Sequence, residues 1–188
     1  MKIFFFACFI LTSSFSALAA DAYTIDSRHT FPHFEINHLG FSTQHGRFNN
    51  TRGTVVVDKG VSNGGNINII IDADSINTGL EELEDHLRSA DFLDADRYPE
   101  IKFVSTQLLF NQYNLIAVDG NLTLHGVTRP VHLKVDFFHC DTHPITQKHV
   151  CGVNASTAIM RSEFGIDKYL PLIGNAVKIT LQVEAIKD

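Results

Sequence analysis

The sequence predicts a mainly β protein of about eight short antiparallel strands with one or two short helices. Apolar and polar residues alternate along most of the chain, turn-forming residues separate these runs, and one segment has a helical repeat. A period of two is typical of strands that bury one face and expose the other. Many such strands form a closed barrel or a sandwich, and periodicity alone leaves both architectures open.

The first 19 residues have the pattern of a secretory signal peptide. Lys2 supplies a positive charge, Ile3–Leu11 is apolar, and Ala17-Leu18-Ala19 places small residues at a cleavage site. Because a bilayer-spanning helix needs about 20 apolar residues, neither this segment nor any later one is expected to insert stably into a membrane. We therefore expect cleavage near Ala19, export, and a single domain over residues 20–188.

Four segments show the alternation most clearly, and each predicts a strand with one buried face. Short runs rich in Asn, Gly and Pro between such segments predict turns. The predicted turns are Asn63–Asn66, Asn111–Asn114 and His125–Pro130, and a loop over Asp141–Val150 leads to a further strand at Gly152–Arg161. The inward residues predicted are Phe34 and Ile36; Ile67, Ile69 and Ile71; Val131, Leu133, Val135 and Phe137; and Val177, Ile179, Leu181 and Val183.

Leu80–Ala90 is the segment with a helical repeat. Leu80, Leu83 and Leu87 lie on one stripe, and Thr78 is the predicted N-cap. The acidic residues that follow Leu80 favour the N-terminal half of a helix through its dipole. Their helical spacing spreads them over a solvated face, so we do not interpret them as a glycosidase carboxylate pair.

Charge and composition exclude several classes of function. The net charge is −6, and loss of Lys2 with the signal peptide makes it more negative. Such a chain, with no long basic run, is not expected to bind nucleic acid or anionic membrane surfaces. The sequence contains no phosphate-binding glycine loop, no Gly-x-Ser-x-Gly and no His-Glu-x-x-His, so we expect no catalytic residues.

Two cysteines, Cys140 and Cys151, follow the signal segment. In an oxidising compartment a disulfide between them is the expected state. In the chain-entropy estimate, closing this loop stabilises the fold by about 3 kcal/mol. The alternative is a metal site in which His143 and His149 join the two thiolates, although this spacing is not a known zinc pattern. His29, His33, His38 and His45 are interpreted as surface or loop residues, with no metal expected.

Several apolar residues stand where the strand pattern does not require them. Leu39 follows His38, Phe92 and Leu93 follow the predicted helix, and Leu170 belongs to a loop-like run after Tyr169. These side chains either plug the ends of a barrel or line an apolar cavity.

An ordered set of motifs over residues 22–186 resembles the YceI-like polyisoprenoid-binding family. The resemblance is carried by Phe34–Gly40, Gly46–Phe48, His86–Leu93, Tyr98–Ser105, Gly120–Val131 and Arg161–Ile166. It implies an eight-stranded antiparallel, lipocalin-like barrel that holds a quinone, a polyprenyl lipid or a similar amphiphile in a tunnel. It also implies a periplasmic location, dimers in some members, links to stress responses, and no cofactor other than the bound lipid.

We therefore predict a periplasmic lipid carrier, with a metal- or stress-sensing module built on the histidines and the cysteine loop as the alternative. His38 and Arg88 are the candidates for contact with a lipid head group. The residues predicted to bind the ligand are Phe34, Ile36, His38, Leu39, Arg88, Phe92, Leu93, Phe103, Phe164 and Leu170.

Overall fold

The computed structural model describes residues 20–57 and 64–188. The predicted signal peptide lies outside the described residues, as does Asn63 of the first predicted turn. Eleven strands and one α-helix are present in the described part of the chain. The helix, α1, covers Glu81–Arg88, and the strands β1 to β11 cover, in order, Asp21–Ile25, Phe31–His38, Ser42–Phe48, Thr51–Val57, Gly65–Asp72, Ile76–Asn77, Glu100–Asn111, Asn114–Leu124, Val127–Thr142, His149–Met160 and Ile173–Lys187.

The strands form one antiparallel sheet that closes on itself, because β11 pairs with β10 on one side and with β1 and β2 on the other. β1 and β2 follow one another along β11, β3 continues into β4, and β5 continues through a short 3₁₀ turn into β6. The eleven strands thus fill eight positions around a barrel. The predicted eight-stranded antiparallel barrel is confirmed.

Most of the predicted alternation is present, with one correction in β9. The pairing of β9 with β10 shifts at Asn154/Ala155, where Val135 and Phe137 face successive residues of β10. This bulge reverses the alternation, so Phe137 is 54% exposed and Phe138 packs against the core instead. The predicted inward position of Phe137 is therefore wrong.

Two turns are tighter than predicted. β8 ends at Leu124 and β9 begins at Val127, so the turn consists of His125 and Gly126 alone, both with positive φ. This backbone is typical of a two-residue hairpin turn, and it lets β9 begin before Pro130. Similarly, β9 extends to Thr142 and β10 begins at His149, which shortens the predicted cysteine loop.

The helix begins one residue later than predicted, and Thr78 is not its N-cap. Leu80 occupies the cap position and makes no side-chain cap hydrogen bond. Instead, Glu84 in the first turn accepts hydrogen bonds from the backbone N–H groups of Thr78 at 2.7 Å and Gly79 at 3.0 Å. These bonds lower the pKa of Glu84. This acidic residue is buried rather than on the solvated face.

The barrel has two distinct ends. The terminal end carries the start of β1 and the end of β11, where Asp21 and Lys187 form an ion pair. The helix end carries α1, the β2–β3 hairpin and the segment 165–172, and the backbone N–H of Leu39 donates to the carbonyl oxygen of Leu172 there. Within the described ranges, no helix is long and apolar enough to cross a membrane.

Candidate ligand-binding site

A cavity of about 1380 Å³ occupies the interior of the barrel. It reaches Leu80, Leu83 and Leu172 at the helix end and Val57 and Tyr113 at the terminal end. Its wall consists largely of the inward residues of the strands, because alternation directs every second side chain to the interior. The wall therefore presents mainly aliphatic and aromatic carbon, which favours an apolar ligand over water.

Seven of the residues predicted to bind a ligand line this cavity. They come from β2 and its turn, from the segment after α1, and from β7. Their presence in the wall places them where a ligand would lie, and contact with a ligand remains a prediction. The seven are Phe34, Ile36, His38, Leu39, Phe92, Leu93 and Phe103.

Three predicted residues, Arg88, Phe164 and Leu170, lie outside the cavity wall. Arg88 donates to the carbonyl oxygen of Asp74 and to the carboxylates of Glu84 and Asp85, so its guanidinium joins α1 to the 3₁₀ turn before β6. Phe164 belongs to a 3₁₀ turn after β10 and is buried within the core.

Leu170 lies in a turn in which its backbone N–H donates to the carbonyl oxygen of Asp167. Its neighbours Tyr169 and Leu172 contribute to the cavity wall instead. A loop-like apolar run cannot show which of its side chains faces inward, because it lacks a fixed period.

Three aromatic rings pack together where the cavity meets the helix end. The ring of His86 lies 5.1 Å from Phe92 and 5.8 Å from Tyr169, and Phe92 and Tyr169 stack at 6.0 Å. The Tyr169 hydroxyl is 3.4 Å from a carboxylate oxygen of Asp91, which also pairs with Lys168. The hydroxyl group of this cluster therefore has a partner within the protein, the carboxylate of Asp91.

Arg161 holds the segment that follows β10. It is 3% exposed, and its guanidinium donates to the carbonyl oxygens of Ile166, Lys168, Ile173 and Gly174 at 2.8–3.1 Å. Burial lowers the pKa of this guanidinium. Since an arginine presents five N–H donors in a fixed plane, one side chain can satisfy four carbonyl groups that would otherwise be unpaired.

The terminal end of the cavity holds two residues that the sequence did not predict to bind a ligand, Tyr23 and His149. Both line the cavity, and their ring centroids are 6.0 Å apart. For His149 a signal is available, because it lies two residues before Cys151 on the same face of a strand. The alternation at Tyr23 is too short to predict a strand without its pairing partners.

Cys140 and Cys151 form the expected disulfide, which joins directly opposed residues of β9 and β10. Both cysteines line the cavity. The bond consumes the two thiols that the alternative metal site requires as ligands, so the structure does not support that alternative.

Comparison with known proteins decides the family. A model of the YceI-like domain matches residues 23–185. The chain belongs to the YceI-like family. A YceI-family relative from Pseudomonas savastanoi pv. phaseolicola, named UPF0312 protein, is 38% identical over 158 residues, which is 83% of this chain and 81% of the relative. Protein YceI of Salmonella agona is 33% identical over 187 residues, or 98% of this chain and 96% of the relative.

Solved structures share the YceI-like fold. BcnA of Burkholderia cenocepacia superimposes with a TM-score of 0.70 at 20% identity, covering 85% of this chain and 98% of BcnA. A polyisoprenoid binding domain from Saccharophagus degradans, described as implicated in plant cell wall breakdown, gives 0.65 at 15% identity, covering 88% and 98%. At these identities the likeness concerns the fold.

Proposed function

We propose that this YceI-like protein is an exported carrier that holds an isoprenoid lipid, of quinone or polyprenyl type, or a similar amphiphile inside its barrel. The observation that carries the proposal is the apolar cavity of about 1380 Å³ that extends from the helix end to the terminal end. Pockets for drug-sized ligands occupy roughly 300–1,000 Å³, so the space suits a longer molecule. The Saccharophagus degradans domain of the same fold is described as polyisoprenoid binding, which supports this ligand class.

Burial of the lipid tail supplies the affinity. Removing an apolar chain from water is worth about 0.8 kcal/mol for each methylene. The entropy lost when a flexible tail is ordered opposes this gain. The measured binding free energy of a long chain is therefore expected to be well below the sum over its methylene groups. The expected behaviour is tight, reversible binding, as transport, storage or protection under stress requires. We propose binding alone, with no chemical conversion of the lipid.

We place this function in the periplasm, because residues 1–19 have the charge, apolar segment and small-residue site of a secretory signal. The disulfide between Cys140 and Cys151 is consistent with an oxidising compartment. Whether the carrier works as a monomer or a homodimer does not alter this proposal, since the cavity lies within one barrel.

Native mass spectrometry of protein purified from the periplasm without detergent tests the proposal. We expect a stoichiometric mass excess that denaturing extraction identifies as an isoprenoid or a related amphiphile. An apo mass, together with no uptake of added isoprenoid lipid, would contradict a carrier role.

A variant of the cavity wall sharpens the test. Phe103 is buried and lines the cavity, whereas its neighbour Val104 is exposed on the outer face of β7. Phe103→Arg places a charge in the apolar interior and should abolish lipid binding, because an unpaired buried charge is strongly unfavourable. Val104→Arg introduces the same charge outside the barrel and should retain the lipid. If folded Phe103→Arg protein still carries lipid, Phe103 is not part of the binding wall.

A further inference from the structure

We propose that Tyr23 and His149 form a polar subsite at the terminal end of the cavity, and that it binds an uncharged oxygen of the lipid. The lipid would then lie with its oxygen-bearing group at the terminal end and its tail toward the helix end. This inference rests on the proposed function and specifies the ligand and its orientation.

The first observation is that a buried tyrosine lies beside a buried imidazole nitrogen that has no partner. Tyr23 is 3% exposed as a residue, and its hydroxyl makes no hydrogen bond with the other described residues. The Nδ1 atom of His149 is also buried and makes no hydrogen bond in the described part of the chain. A buried polar group left unpaired destabilises the fold, so such groups are rare in folded proteins.

The second observation is that the two groups converge on the cavity from β1 and β10, the strands on either side of β11 at this end. Tyr23 faces Lys187 across the β1–β11 pair, and Val150, next to His149, faces Ile186 on the other side of β11. Both side chains line the cavity, with ring centroids 6.0 Å apart. A ligand oxygen that reached this end would find a phenol and an imidazole together.

The surroundings indicate the class of ligand group. Tyr23 packs in a core cluster with Ile25, Ala185 and other apolar residues, and Lys187 at this end is already paired with Asp21. A phenol and an imidazole can hydrogen-bond a hydroxyl or carbonyl oxygen. They cannot compensate the several charges of a diphosphate in an apolar site. An alcohol, ketone or quinone oxygen is therefore the expected partner.

Two polar groups near the helix end differ from this pair, because the protein supplies their partners. The Tyr169 hydroxyl lies 3.4 Å from Asp91, and the Arg161 guanidinium donates to four carbonyl oxygens. Thr51, at the start of β4, has a buried and unpartnered hydroxyl in the cavity wall, and it lies away from the Tyr23–His149 pair. The hydroxyls of Tyr23, Thr51 and Tyr169 lie at different positions along the barrel, so removing each in turn locates the oxygen of the ligand.

The experiment compares two probes by equilibrium dialysis: geranylgeraniol and the hydrocarbon in which a methyl group replaces its CH₂OH. Tyr23→Phe should weaken geranylgeraniol binding roughly three- to tenfold, the range of one hydrogen bond, and leave the hydrocarbon unaffected. His149→Leu should give the same alcohol-specific loss. Tyr169→Phe and Thr51→Val delete hydroxyls elsewhere in the cavity wall and test those positions as alternatives. Tyr98→Phe and Thr54→Val remove hydroxyls outside the cavity wall and should leave both affinities unchanged.

Unaltered hydrocarbon binding shows that each variant is folded, so its result is interpretable. If Tyr23→Phe and His149→Leu bind the alcohol as well as wild type does, the subsite is wrong while the carrier function stands. An alcohol-specific loss in Tyr169→Phe or Thr51→Val instead would place the oxygen elsewhere and overturn the orientation. If wild-type protein binds neither probe, the proposed carrier function is contradicted, and so is the subsite that rests on it.

Discussion

The ring of Phe103 lies directly over the backbone of Gly120 on the neighbouring strand. A Cβ atom at Gly120 would come within 2.4 Å of the Phe103 ring and 2.7 Å of the carbonyl oxygen of Val104. Glycine at this position therefore allows an aromatic side chain of the cavity wall to lie flat against the sheet. Phe34 and Gly46 repeat the arrangement on β2 and β3, where the corresponding distance is 2.3 Å.

Gly120→Ala should destabilise the fold by about 1–3 kcal/mol, because the added methyl group displaces a buried ring and overpacks the wall. Urea denaturation measures the change. Gly152→Ala on β10 is the matched control, since the nearest atom to its new Cβ lies at 3.9 Å. Equal stabilities for the two variants would show that the Phe103–Gly120 contact does not constrain the wall.

Arg161→Lys should lower the stability by at least about 2 kcal/mol, because one ammonium group cannot replace a guanidinium bonded to four carbonyl oxygens. Hydrogen exchange should also accelerate in residues 165–173. Arg129→Lys, at an exposed site with one carbonyl contact, should be neutral. A stability close to that of wild type in Arg161→Lys would mean that this segment is held by packing alone.

Glu84 should make the stability depend on pH in the acid range. Its pKa is lowered in the folded state by the Thr78 and Gly79 N–H groups and by Arg88, so the unfolded chain takes up the proton first. The stabilisation is present above its ordinary pKa of 4.5 and is lost as the pH falls through the lowered value. Glu84→Gln should therefore lose less stability than wild type between pH 5 and pH 3 in urea titrations.

The matched control for this prediction is Glu82→Gln, an exposed glutamate on the same helix. It should follow the acid dependence of wild type. An identical curve for Glu84→Gln and wild type would show that the carboxylate charge does not anchor the start of α1.

Removing the disulfide with Cys140→Ser and Cys151→Ser together should cost about 3 kcal/mol, since the bond closes a loop of about 12 residues. For a domain of this size the melting temperature should fall by roughly 6–12 °C. Calorimetry of the wild-type protein with and without a reductant provides the comparison. A melting temperature unchanged by either treatment would mean that strand pairing alone fixes the ends of β9 and β10.

The barrel could be predicted from the sequence because its signal is local and repeated. Ile67, Ile69 and Ile71 show the period of two directly, and the same period puts Ile36 and Phe103 in the wall. Phe137 was misplaced because a bulge shifts the alternation, and two adjacent phenylalanines hide that shift. Phe164 was misplaced because a 3₁₀ turn has neither the period of a strand nor that of a helix.

The terminal end of the cavity could not be predicted, because it depends on contacts between distant parts of the chain. Tyr23 and His149 become neighbours only when β1 and β10 flank β11, and no local pattern specifies that pairing. Arg161 was recognised within a motif, but its role follows from carbonyl groups that only the folded segment brings together.

The pairing of the first strand with the last determines when the cavity comes into existence. Until β11 is available, β1, β2 and β10 are open edges of a curved sheet, and no enclosed space is present to receive a lipid. Synthesis of the C-terminal residues thus precedes any loading of the barrel. A chain that ends before Ile173 would expose its apolar wall and its unpaired edges together, and its fate would be aggregation or degradation.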